Sequence, residues 1–557
     1  MRIRSEQLNP IVGDIEGNAA KIRTSLKKAE KESIDLLILP EMCLCGYPPM
    51  DLLERESFLK KTEAELQKII ESTGETGLLF GSPVRNLSKT GRPLFNSAVF
   101  AHQGELKAVT HKTLLPTYDV FDESRYFESN TEFRLVEFRG CRLGITICED
   151  IWNTRNEFIY HNYAYDPVAI LSDKGADLLI NIAASPFSRN KPGFRKKMLQ
   201  DHARRLHIPV VYANQVGANT ELIFDGDSMV VDSEGMILER AELFGEGFVD
   251  AVWDAGTGTM NPTHNQVSPR LQPDEEVFKA LSLGLRDYFE KSRLSKKVIL
   301  GLSGGIDSAL TAAIAVEALG SENVTGITMP SGFSSAGSVT DSEKLAGNLG
   351  MKIQTLPIGD IYGAFVKTLE PLFEGMPFNL AEENLQSRSR GVLLMAIANK
   401  FGYLLINTGN KSELAVGYCT LYGDMAGGIS VISDLYKHEV YSLSRWLNAH
   451  YYKKEIIPEA IITKEPSAEL RPDQKDSDSL PAYDVLDGIL KAYIEEQKGL
   501  EEIVSLGYDP AVAKTILNLV DRNEHKRRQA PPGLRVSPKA FGIGRQLPLA
   551  HGWKHQM

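Results

Sequence analysis

Residues 298–308 read Val298-Ile299-Leu300-Gly301-Leu302-Ser303-Gly304-Gly305-Ile306-Asp307-Ser308. The apolar run up to Leu302 predicts a buried strand. An alanine-rich segment follows at once, with Ala309 and Ala313 at helical spacing. A strand, a glycine turn and a helix N-terminus in this order form an anion site, because glycines let the backbone approach a ligand and free N–H groups point outward. Serine hydroxyls add donors and Asp307 is an oxygen ligand for Mg2+, so the stretch predicts a phosphate and magnesium site.

The loop at 303–308 lacks the Gly-Lys-Ser/Thr ending of a Walker A loop. Its pattern, Ser-Gly-Gly-x-Asp-Ser, instead resembles the pyrophosphate loop of ATP pyrophosphatases. That family splits ATP into AMP and pyrophosphate and adenylates a carboxyl or carbonyl group, so the resemblance implies ATP as a co-substrate. Two glycines alone would also fit an ordinary strand-to-helix turn, whereas the two serines and the aspartate favour the phosphate loop.

The pattern around this loop predicts a parallel, doubly wound α/β sheet. An amphipathic helix is expected near 274–293. Strands alternating with helices are predicted at 298–302, 324–329, 352–358 and 403–408. Ligands of such sheets bind at the carboxyl ends of the strands, where the 303–308 loop lies. The polar stretch 471–479 is expected to be a mobile loop or a lid over that site.

Residues 1–255 mix strands, hairpins and helices, which predicts a layered α/β domain and not a purely parallel sheet. Buried strands and hairpins are predicted at several places in this region. The strands are predicted at 35–41, 176–185 and 209–216, and the hairpin turns at 103–104, 139–140 and 234–235. Residues 256–273 are rich in Gly, Pro, Asn and Thr, so they are predicted to link this domain to a second domain at 274–557.

Bulk properties exclude several classes of protein. A chain of 557 residues with 42% hydrophobic residues can bury full cores, and its formal net charge of −11 argues against a general nucleic-acid binder. Neither a charged, apolar leader nor a membrane-length apolar run is found in the sequence, so the expected location is the cytoplasm, without a membrane partner. The five cysteines form no disulfide framework and no zinc-type pair, which leaves a nucleophile as the candidate role for one of them.

That candidate is Cys148, at the end of an apolar strand in GITICEDIW (144–152). Glu41 ends another strand and Lys112 follows a third, and strand ends on one edge of a sheet converge. The three residue types suit amide hydrolysis. A thiolate attacks the carbonyl, a carboxylate moves the proton, and an ammonium stabilises the oxyanion.

These residues, in this order and in these contexts, resemble the Glu-Lys-Cys triad of the nitrilase superfamily of amidases over most of residues 1–250. The resemblance implies an α-β-β-α sandwich. It also implies that Glu123 is a second active-site glutamate that orients the lysine. It places glutamine against Tyr118, Glu149, Ser185 and Lys191. The family often has arginine at the last of these positions, and lysine lacks the bidentate fork for a carboxylate.

Five motifs in the second half resemble those of NAD synthetases. They are TGNKSELAVGY (408–418), YGD (422–424), SDLYK (433–437), KEPSAEL (464–470) and EHKRR (524–528). An amidase ahead of such a domain resembles the glutamine-dependent form of that family. The expected fold of this half is a Rossmann-like sheet of the adenine nucleotide α-hydrolase type. At 409–411 the chain has Gly-Asn-Lys where the family often shows Ser and Asp.

The resemblance implies a role for each matching residue. Asp307 and Glu413 would share Mg2+. ATP would contact Gly301, Leu302, Ser303, Gly304, Gly305, Ile306, Asp307, Ser308, Thr408, Lys437 and Ser467. Deamido-NAD would contact Asn384, Arg390, Glu413, Asp424 and Lys526.

The sequence thus predicts an enzyme that hydrolyses glutamine in one domain and uses the ammonia, with ATP, to amidate deamido-NAD in the other. The resemblance implies a shielded route for the ammonia and a homo-oligomer built on paired synthetase domains. Two alternatives stay open. One is another glutamine-dependent ATP pyrophosphatase with a different acceptor, and the other is a non-catalytic, nucleotide-sensing module.

Overall fold

The computed structural model describes residues 1–88, 90–153, 163–264, 266–472 and 474–555. The chain divides into two compact units, Met1–Leu271 and Gln272–Met557. Among the described residues, no helix has both the length and the apolar character needed to cross a membrane.

The first unit alternates strands and helices. Its strands are β1 (Arg2–Gln7), β2 (Leu36–Ile38), β3 (Gly77–Arg85), β4 (Leu94–His102), β5 (Glu105–His111), β6 (Val136–Phe138), β7 (Cys141–Ile147), β8 (Leu178–Ala183), β9 (Val210–Asn214), β10 (Val216–Asn219), β11 (Leu222–Asp225), β12 (Met229–Val231), β13 (Ile237–Arg240), β14 (Gly247–Asp254) and β15 (Thr259–Pro262). Its α-helices are α1 (Ile15–Lys31), α2 (Glu56–Glu71), α3 (Pro167–Asp173) and α4 (Lys191–Leu206).

Two mixed sheets form an α-β-β-α sandwich, as predicted. One has the order β15-β14-β1-β2-β3-β4-β5 and the other the order β13-β12-β9-β8-β7-β6. Strand β2 shows why the layers stack. Leu36 and Ile38 join the core between the sheets, whereas Leu37 and Leu39 join the core under α1 and α2. Successive strand residues face opposite sides, so an uninterrupted apolar run is buried on both faces.

The three predicted hairpins are confirmed. Antiparallel pairs join β4 to β5, β6 to β7 and β12 to β13. The turn between β4 and β5 has positive φ at both Gln103 and Gly104, which is the backbone of a tight hairpin turn.

The stretch 256–273 differs from its prediction as a plain linker. Residues 259–262 form β15, which pairs antiparallel with β14 at the edge of the seven-stranded sheet. Met260 is buried there among core residues. Its apolar side chain and the open sheet edge together stabilise a strand in a segment whose composition is that of a loop.

The second unit has a parallel sheet flanked by helices. Its strands are β16 (Val298–Gly301), β17 (Val324–Thr328), β18 (Lys352–Thr355), β19 (Leu404–Asn407) and β20 (Ile429–Ser430). Its α-helices are α5 (Pro273–Ser292), α6 (Ile306–Leu319), α7 (Ala336–Leu349), α8 (Gly359–Phe373), α9 (Leu380–Phe401), α10 (Lys411–Val416), α11 (Lys437–Trp446), α12 (Glu459–Thr463), α13 (Tyr483–Ile494), α14 (Leu500–Ser505), α15 (Pro510–Arg522) and α16 (Glu524–Arg527).

The strand order β18-β17-β16-β19-β20 and the parallel pairing of every neighbour confirm the doubly wound prediction. The order reverses between β16 and β19, and such a reversal opens a crevice at the carboxyl ends of the strands. The 303–308 loop follows β16 and therefore lies at this crevice.

The described residues of the loop at 471–479 are anchored at several points, including a backbone hydrogen bond of 3.1 Å from Asp476 to Pro466 and an ion pair of 2.7 Å between Lys475 and Glu465. Asp476 is buried, and its carboxylate accepts a hydrogen bond of 2.8 Å from the Tyr483 hydroxyl. A polar composition predicts solvent exposure, but an aspartate with a tyrosine partner can be buried.

Two candidate active sites

The first site lies where β2, β5 and β7 end. Strands β2 and β5 run in the same direction, because β2 and β3 are parallel and two antiparallel steps lead from β3 to β5. Lys112, directly after β5, donates from Nζ to Glu41 Oε1 at 2.9 Å and to Glu123 Oε1 at 2.8 Å. All three side chains are buried. The structure therefore brings together three residues that lie 71 and 11 positions apart in the chain.

Further groups fix the Glu41 carboxylate. The Asn96 amide donates to Oε1 at 2.6 Å, and the backbone N–H of Ala184 donates to Oε2 at 2.7 Å. Neither group was predicted, because Asn96 lies inside a strand and a backbone N–H leaves no mark in a sequence. With Lys112, three donors hold both oxygens of this buried carboxylate in one orientation.

Cys148 begins a short 3-10 turn, Cys148–Ile151, directly after β7. Its φ of 43° is unusual for a residue with a side chain. Burial raises the pKa of the thiol well above its usual range, and the nearby Glu41 carboxylate acts in the same direction, while Lys112 opposes them. The resting thiol therefore keeps its proton and needs a base to become a nucleophile.

The pKa values of Lys112 and Glu123 are both raised, but for different reasons. Burial disfavours its ammonium, but the carboxylates of Glu123 and Glu41 outweigh burial and raise its pKa well above the usual range. Burial raises the pKa of Glu123 to about 7 despite the lysine. Glu123 Oε1 also accepts a 2.8 Å hydrogen bond from the Tyr47 hydroxyl. Lys112 is thus a fixed cation beside the nucleophile at neutral pH.

The residues predicted to bind glutamine lie on neighbouring segments. Glu149 follows Cys148 and accepts hydrogen bonds of 3.0 Å from the hydroxyls of Tyr118 and Tyr163. Tyr163 was not predicted, since no motif marks it. Ser185 is buried just after β8, where its backbone N–H donates to the Asn214 side chain at 2.9 Å. Lys191 starts α4, with Nζ 5.5 Å from the centroid of the Trp152 ring.

The second site begins with the phosphate loop. Gly304 has φ +74°, and a Cβ there would lie 2.6 Å from both Cα and O of Ser338, so only glycine fits. Ser303 Oγ accepts the N–H of Gly305 at 3.2 Å, and Ser308 Oγ accepts the N–H of Ser303 at 3.3 Å. The loop therefore has the close backbone approach and the serine hydroxyls that the sequence predicted.

Asp307, in the first turn of α6, lies at the centre of a polar cluster. Lys437 Nζ bonds to Asp307 Oδ2, and it lies 3.2 Å from Glu413 Oε1. Asn410 donates from Nδ2 to Asp307 Oδ1 at 2.8 Å and also accepts the N–H of Glu413 at 3.0 Å, which caps α10. The asparagine found where relatives often differ thus joins both carboxylate-bearing helices.

Lys411, the next residue, points away from this cluster. It is fully buried, with Nζ 2.9 Å from Asp434 Oδ1 and 2.7 Å from Glu495 Oε1. It anchors α10 to the rest of the unit and takes no direct part in the cluster around Asp307.

Burial dominates the electrostatics of the cluster. It raises the pKa of Glu413 to about 8, and the neighbouring Asp307 adds to the rise while Lys437 opposes it. For Lys437, burial favours the neutral amine, but Asp307 and Glu413 outweigh it and raise the pKa. Two carboxylates around one ammonium mark a point that favours positive charge.

A cavity of about 310 Å³ adjoins this cluster. Most of the residues predicted to bind ATP or deamido-NAD line it. They are Gly301, Leu302, Ser303, Gly305, Ile306, Asp307, Ser308, Thr408, Lys437 and Ser467, with Arg390, Glu413 and Asp424.

Three predicted residues lie outside the cavity wall, namely Gly304 of the phosphate loop, Asn384 and Lys526. Asn384 accepts a 2.7 Å hydrogen bond from the Thr420 hydroxyl. Lys526 donates to the backbone carbonyls of Gly417 at 2.7 Å and Cys419 at 2.8 Å. Asn384 and Lys526 hold the segment 417–420 and do not reach into the cavity.

Asp424 and Arg390 line the cavity, and burial shifts the pKa of each side chain. Burial raises the pKa of Asp424 to about 6, although its carboxylate accepts the N–H of Thr420 at 2.7 Å. Burial lowers the pKa of Arg390, whose Nε donates to the Met329 carbonyl at 3.1 Å.

The cavity wall also contains a pair that was not assigned from the sequence. Lys464 Nζ lies 2.8 Å from Glu469 Oε1 and donates to Ser338 Oγ at 2.7 Å. All three residues line the cavity. The KEPSAEL motif contains this lysine and glutamate, but only the fold brings them to Ser338 at the start of α7.

Comparisons with known proteins were made for both units. Residues 2–259 match the carbon-nitrogen hydrolase family, and residues 277–530 match the NAD synthase family. The chain is 49% identical to a glutamine-dependent NAD(+) synthetase of Synechocystis over 99% of this chain and 98% of that protein. A protein of the same name from Thermotoga maritima is 41% identical, with all of both chains covered.

Solved structures agree with these relatives. The glutamine-dependent NAD+ synthetase of Acinetobacter baumannii, solved in complex with ADP, has a TM-score of 0.78 at 39% identity and covers 100% of this chain and 99% of its own. A glutamine-dependent NAD(+) synthetase of Cytophaga hutchinsonii has a TM-score of 0.82 at 23% identity, covering 99% and 98% of the two chains, and it supports the fold alone.

Proposed function

The chain belongs to the family of glutamine-dependent NAD(+) synthetases, which are ATP-dependent carbon–nitrogen ligases, and we propose how its residues divide the work. The first unit hydrolyses glutamine to glutamate and ammonia. The second joins the ammonia to deamido-NAD with ATP, releasing AMP and pyrophosphate. The relatives favour this function over another glutamine-dependent ATP pyrophosphatase and over a non-catalytic nucleotide sensor.

For the amidase step, one observation carries the proposal: Lys112 contacts both Glu41 and Glu123 beside a buried Cys148. Glu41 takes the thiol proton, since burial and the Glu41 carboxylate both raise the pKa of the thiol and so favour its protonated form at rest. The sulfur then attacks the amide carbonyl, and Lys112 stabilises the oxyanion. Glu41 returns the proton to the leaving ammonia and activates the water that releases glutamate. Glu123 orients Lys112.

Glutamine recognition is proposed for the groups next to Cys148. The Glu149 carboxylate suits the α-ammonium of the substrate, and the Tyr118 hydroxyl orients that carboxylate. Lys191 is positive and suits the α-carboxylate as a point charge. Ser185, buried just after β8, is proposed as a further glutamine contact.

For the synthetase step, loop 303–308 holds the ATP phosphates on backbone N–H groups and serine hydroxyls. Asp307 and Glu413 would hold Mg2+. Their oxygens are the ligands this ion prefers, and both already neutralise one cation, Lys437. When bound, the ion offsets the phosphate charge while the nicotinate carboxylate attacks the α-phosphorus.

The residues that line the cavity support the remaining proposed ligand contacts. Thr408, Lys437 and Ser467 contact ATP, while Arg390, Glu413 and Asp424 contact deamido-NAD. Asn384 and Lys526 support deamido-NAD binding through the segment 417–420, which both of them hold.

An isotope experiment tests the coupling of the two half-reactions. Ammonia in water at neutral pH is mostly ammonium, which is not a nucleophile, so direct use of the released ammonia is expected. Glutamine labelled with 15N in its amide, given together with excess unlabelled ammonium, should yield NAD that retains the label. Mass spectrometry gives the fraction of NAD that carries 15N. If this fraction equals the 15N fraction of all ammonia and ammonium in solution, the released ammonia equilibrates with solvent before it is used.

A homo-oligomer is proposed through a surface of the second unit. Exposed apolar side chains are concentrated on α8, on α9 and between them. They are Phe365, Val366, Leu372, Met376, Phe378, Leu380, Val392, Met395 and Phe401. Exposed apolar side chains gathered on two neighbouring helices are typical of an interface, and a second copy of the chain carries the same side chains.

The double substitution Leu372→Asp with Val392→Asp should lower the molar mass measured by light scattering to that of a smaller assembly, because it places charges in a dry contact. Leu506→Asp is the matched control, since Leu506 is 54% exposed outside this surface. A wild type that is monomeric, or a double variant with the mass of wild type, would contradict the proposed interface.

A further inference from the structure

Asp150 is a buried carboxylate to which the reaction described above assigns no role. It lies two residues after Cys148 in the same 3-10 turn and is 2% exposed. Its Oδ1 accepts the backbone N–H groups of Thr113 at 2.9 Å and Leu114 at 2.8 Å, and its Oδ2 accepts the N–H of Ile147 at 3.0 Å.

The positions of these three N–H groups matter. Thr113 and Leu114 directly follow Lys112, and Ile147 directly precedes Cys148. One carboxylate therefore joins the backbone beside the nucleophile to the backbone beside the oxyanion-stabilising lysine. Glu41 and Glu123 reach Lys112 only through its flexible side chain, whereas Asp150 contacts the main chain at both places.

The conformation of Cys148 needs such support. A left-handed backbone at a residue with a side chain persists only where its surroundings hold it. Asp150 holds the turn from before Cys148, through Ile147. His202 holds it from behind, donating from Nε2 to the Ile151 carbonyl at 2.8 Å.

The chemistry of the site also favours a carboxylate over an amide. Three N–H donors converge on two oxygens that only accept when ionised. The side-chain NH2 group of an asparagine would face at least one of these backbone N–H donors, which would leave that buried donor without an acceptor. Burial raises the pKa of Asp150 to about 7, with the three N–H groups and Lys112 acting against the rise.

We propose that Asp150 is a positioning residue for amide hydrolysis, which sets the distance between the Cys148 sulfur and the Lys112 ammonium by fixing their backbones to each other. The inference rests on the proposed roles of Cys148 and Lys112. It predicts a loss of rate larger than any loss of glutamine binding, because the three hydrogen bonds of this carboxylate go to the backbone beside Cys148 and Lys112 and none of these three goes to a proposed glutamine contact.

The test uses full-length Asp150→Asn with deamido-NAD, ATP and Mg2+, and either glutamine or ammonium. The kcat with glutamine should fall about 100-fold, the size of effect that a displacement of about 1 Å produces, with KM for glutamine changed less than about threefold. Ammonium-driven NAD formation should be unchanged. Alkylation of Cys148 by iodoacetamide should slow, which reports on the thiol without turnover.

The matched control is Asp177→Asn. Asp177 Oδ2 also accepts a backbone N–H from β7, that of Arg142 at 2.9 Å, at the opposite end of the strand. This variant should keep the wild-type kcat with glutamine. A kcat for Asp150→Asn equal to that of Asp177→Asn would overturn the inference.

Two further variants separate the possible failures. If Asp150→Asn does not fold, Asp150→Glu keeps the acceptors but shifts them by one methylene, and it should lower kcat with KM unchanged. A lower melting temperature with wild-type kcat would show a merely structural role. Cys148→Ala in the same assay tests the proposed amidase site separately from the role of Asp150. If Cys148→Ala retains glutamine-driven activity, the proposed amidase site is wrong. If Cys148→Ala is inactive with glutamine while Asp150→Asn is fully active, only the positioning role of Asp150 is rejected.

Discussion

Cys148→Ala should abolish NAD formation from glutamine, by at least about 10³-fold, and leave NAD formation from ammonium unchanged. Without the sulfur no thioester forms, and neither Glu41 nor Lys112 can replace it as a nucleophile. Free ammonium reaches the synthetase reaction without the amidase, so that half-reaction persists. Steady-state NAD formation with each nitrogen source measures both effects in one preparation.

The control for this substitution is Cys141→Ala. Cys141 is also a buried cysteine, at the start of the strand that Cys148 follows. It should retain both activities, at the modest cost in stability of a small buried cavity. Glutamine-driven activity in Cys148→Ala would show that another group is the nucleophile, while a loss of both activities would indicate damage beyond the amidase site.

Asp307→Asn should lower NAD formation from glutamine and from ammonium together, by at least about 10²-fold. The substitution removes one of the two carboxylates proposed for Mg2+. It also removes the charge that, with Glu413, holds the Lys437 ammonium in place. Because the shared defect lies in the step that both nitrogen sources use, the ratio of the two activities should stay close to that of wild type.

Asp484→Asn serves as the comparison for this variant. Asp484 is likewise an aspartate in the first turn of a helix of the same unit, but it is exposed. Both variants lose an acidic group at a helix N-terminus, and the general effect of that loss on the free energy of unfolding is less than about 1 kcal/mol. Ammonium-driven activity in Asp307→Asn at the level of Asp484→Asn would rule out the proposed part of Asp307 in the reaction.

Much of the fold could be predicted because its signals are local. The apolar run before Gly301 and the helical spacing after it gave β16 and α6. Glycine-containing turns gave the hairpins, and the regular alternation of strands and helices gave the parallel sheet. Glu41, Lys112 and Cys148 were identifiable because each follows a strand. The expectation that the three strands share one sheet edge was wrong, because β2 and β5 belong to the seven-stranded sheet and β7 to the six-stranded sheet.

The surroundings of those residues could not be predicted in the same way. Ala184 donates its backbone N–H to Glu41 across 143 positions of the chain. Asn410 reaches Asp307 across 103 positions. A backbone N–H has no sequence signal, and an asparagine after a strand is equally consistent with an ordinary helix cap.

The sequence by itself therefore determined which elements form, which residue types end them and which chemistry those residues can perform. The tertiary structure alone decided that Asp150 joins two catalytic segments, that Lys411 is an anchor while its neighbour Asn410 faces Asp307, and that residues 259–262 complete a sheet. The physical reason is that propensity and periodicity act over a few residues, whereas hydrogen-bond partners and burial depend on strand order and layer packing, which bring distant segments together.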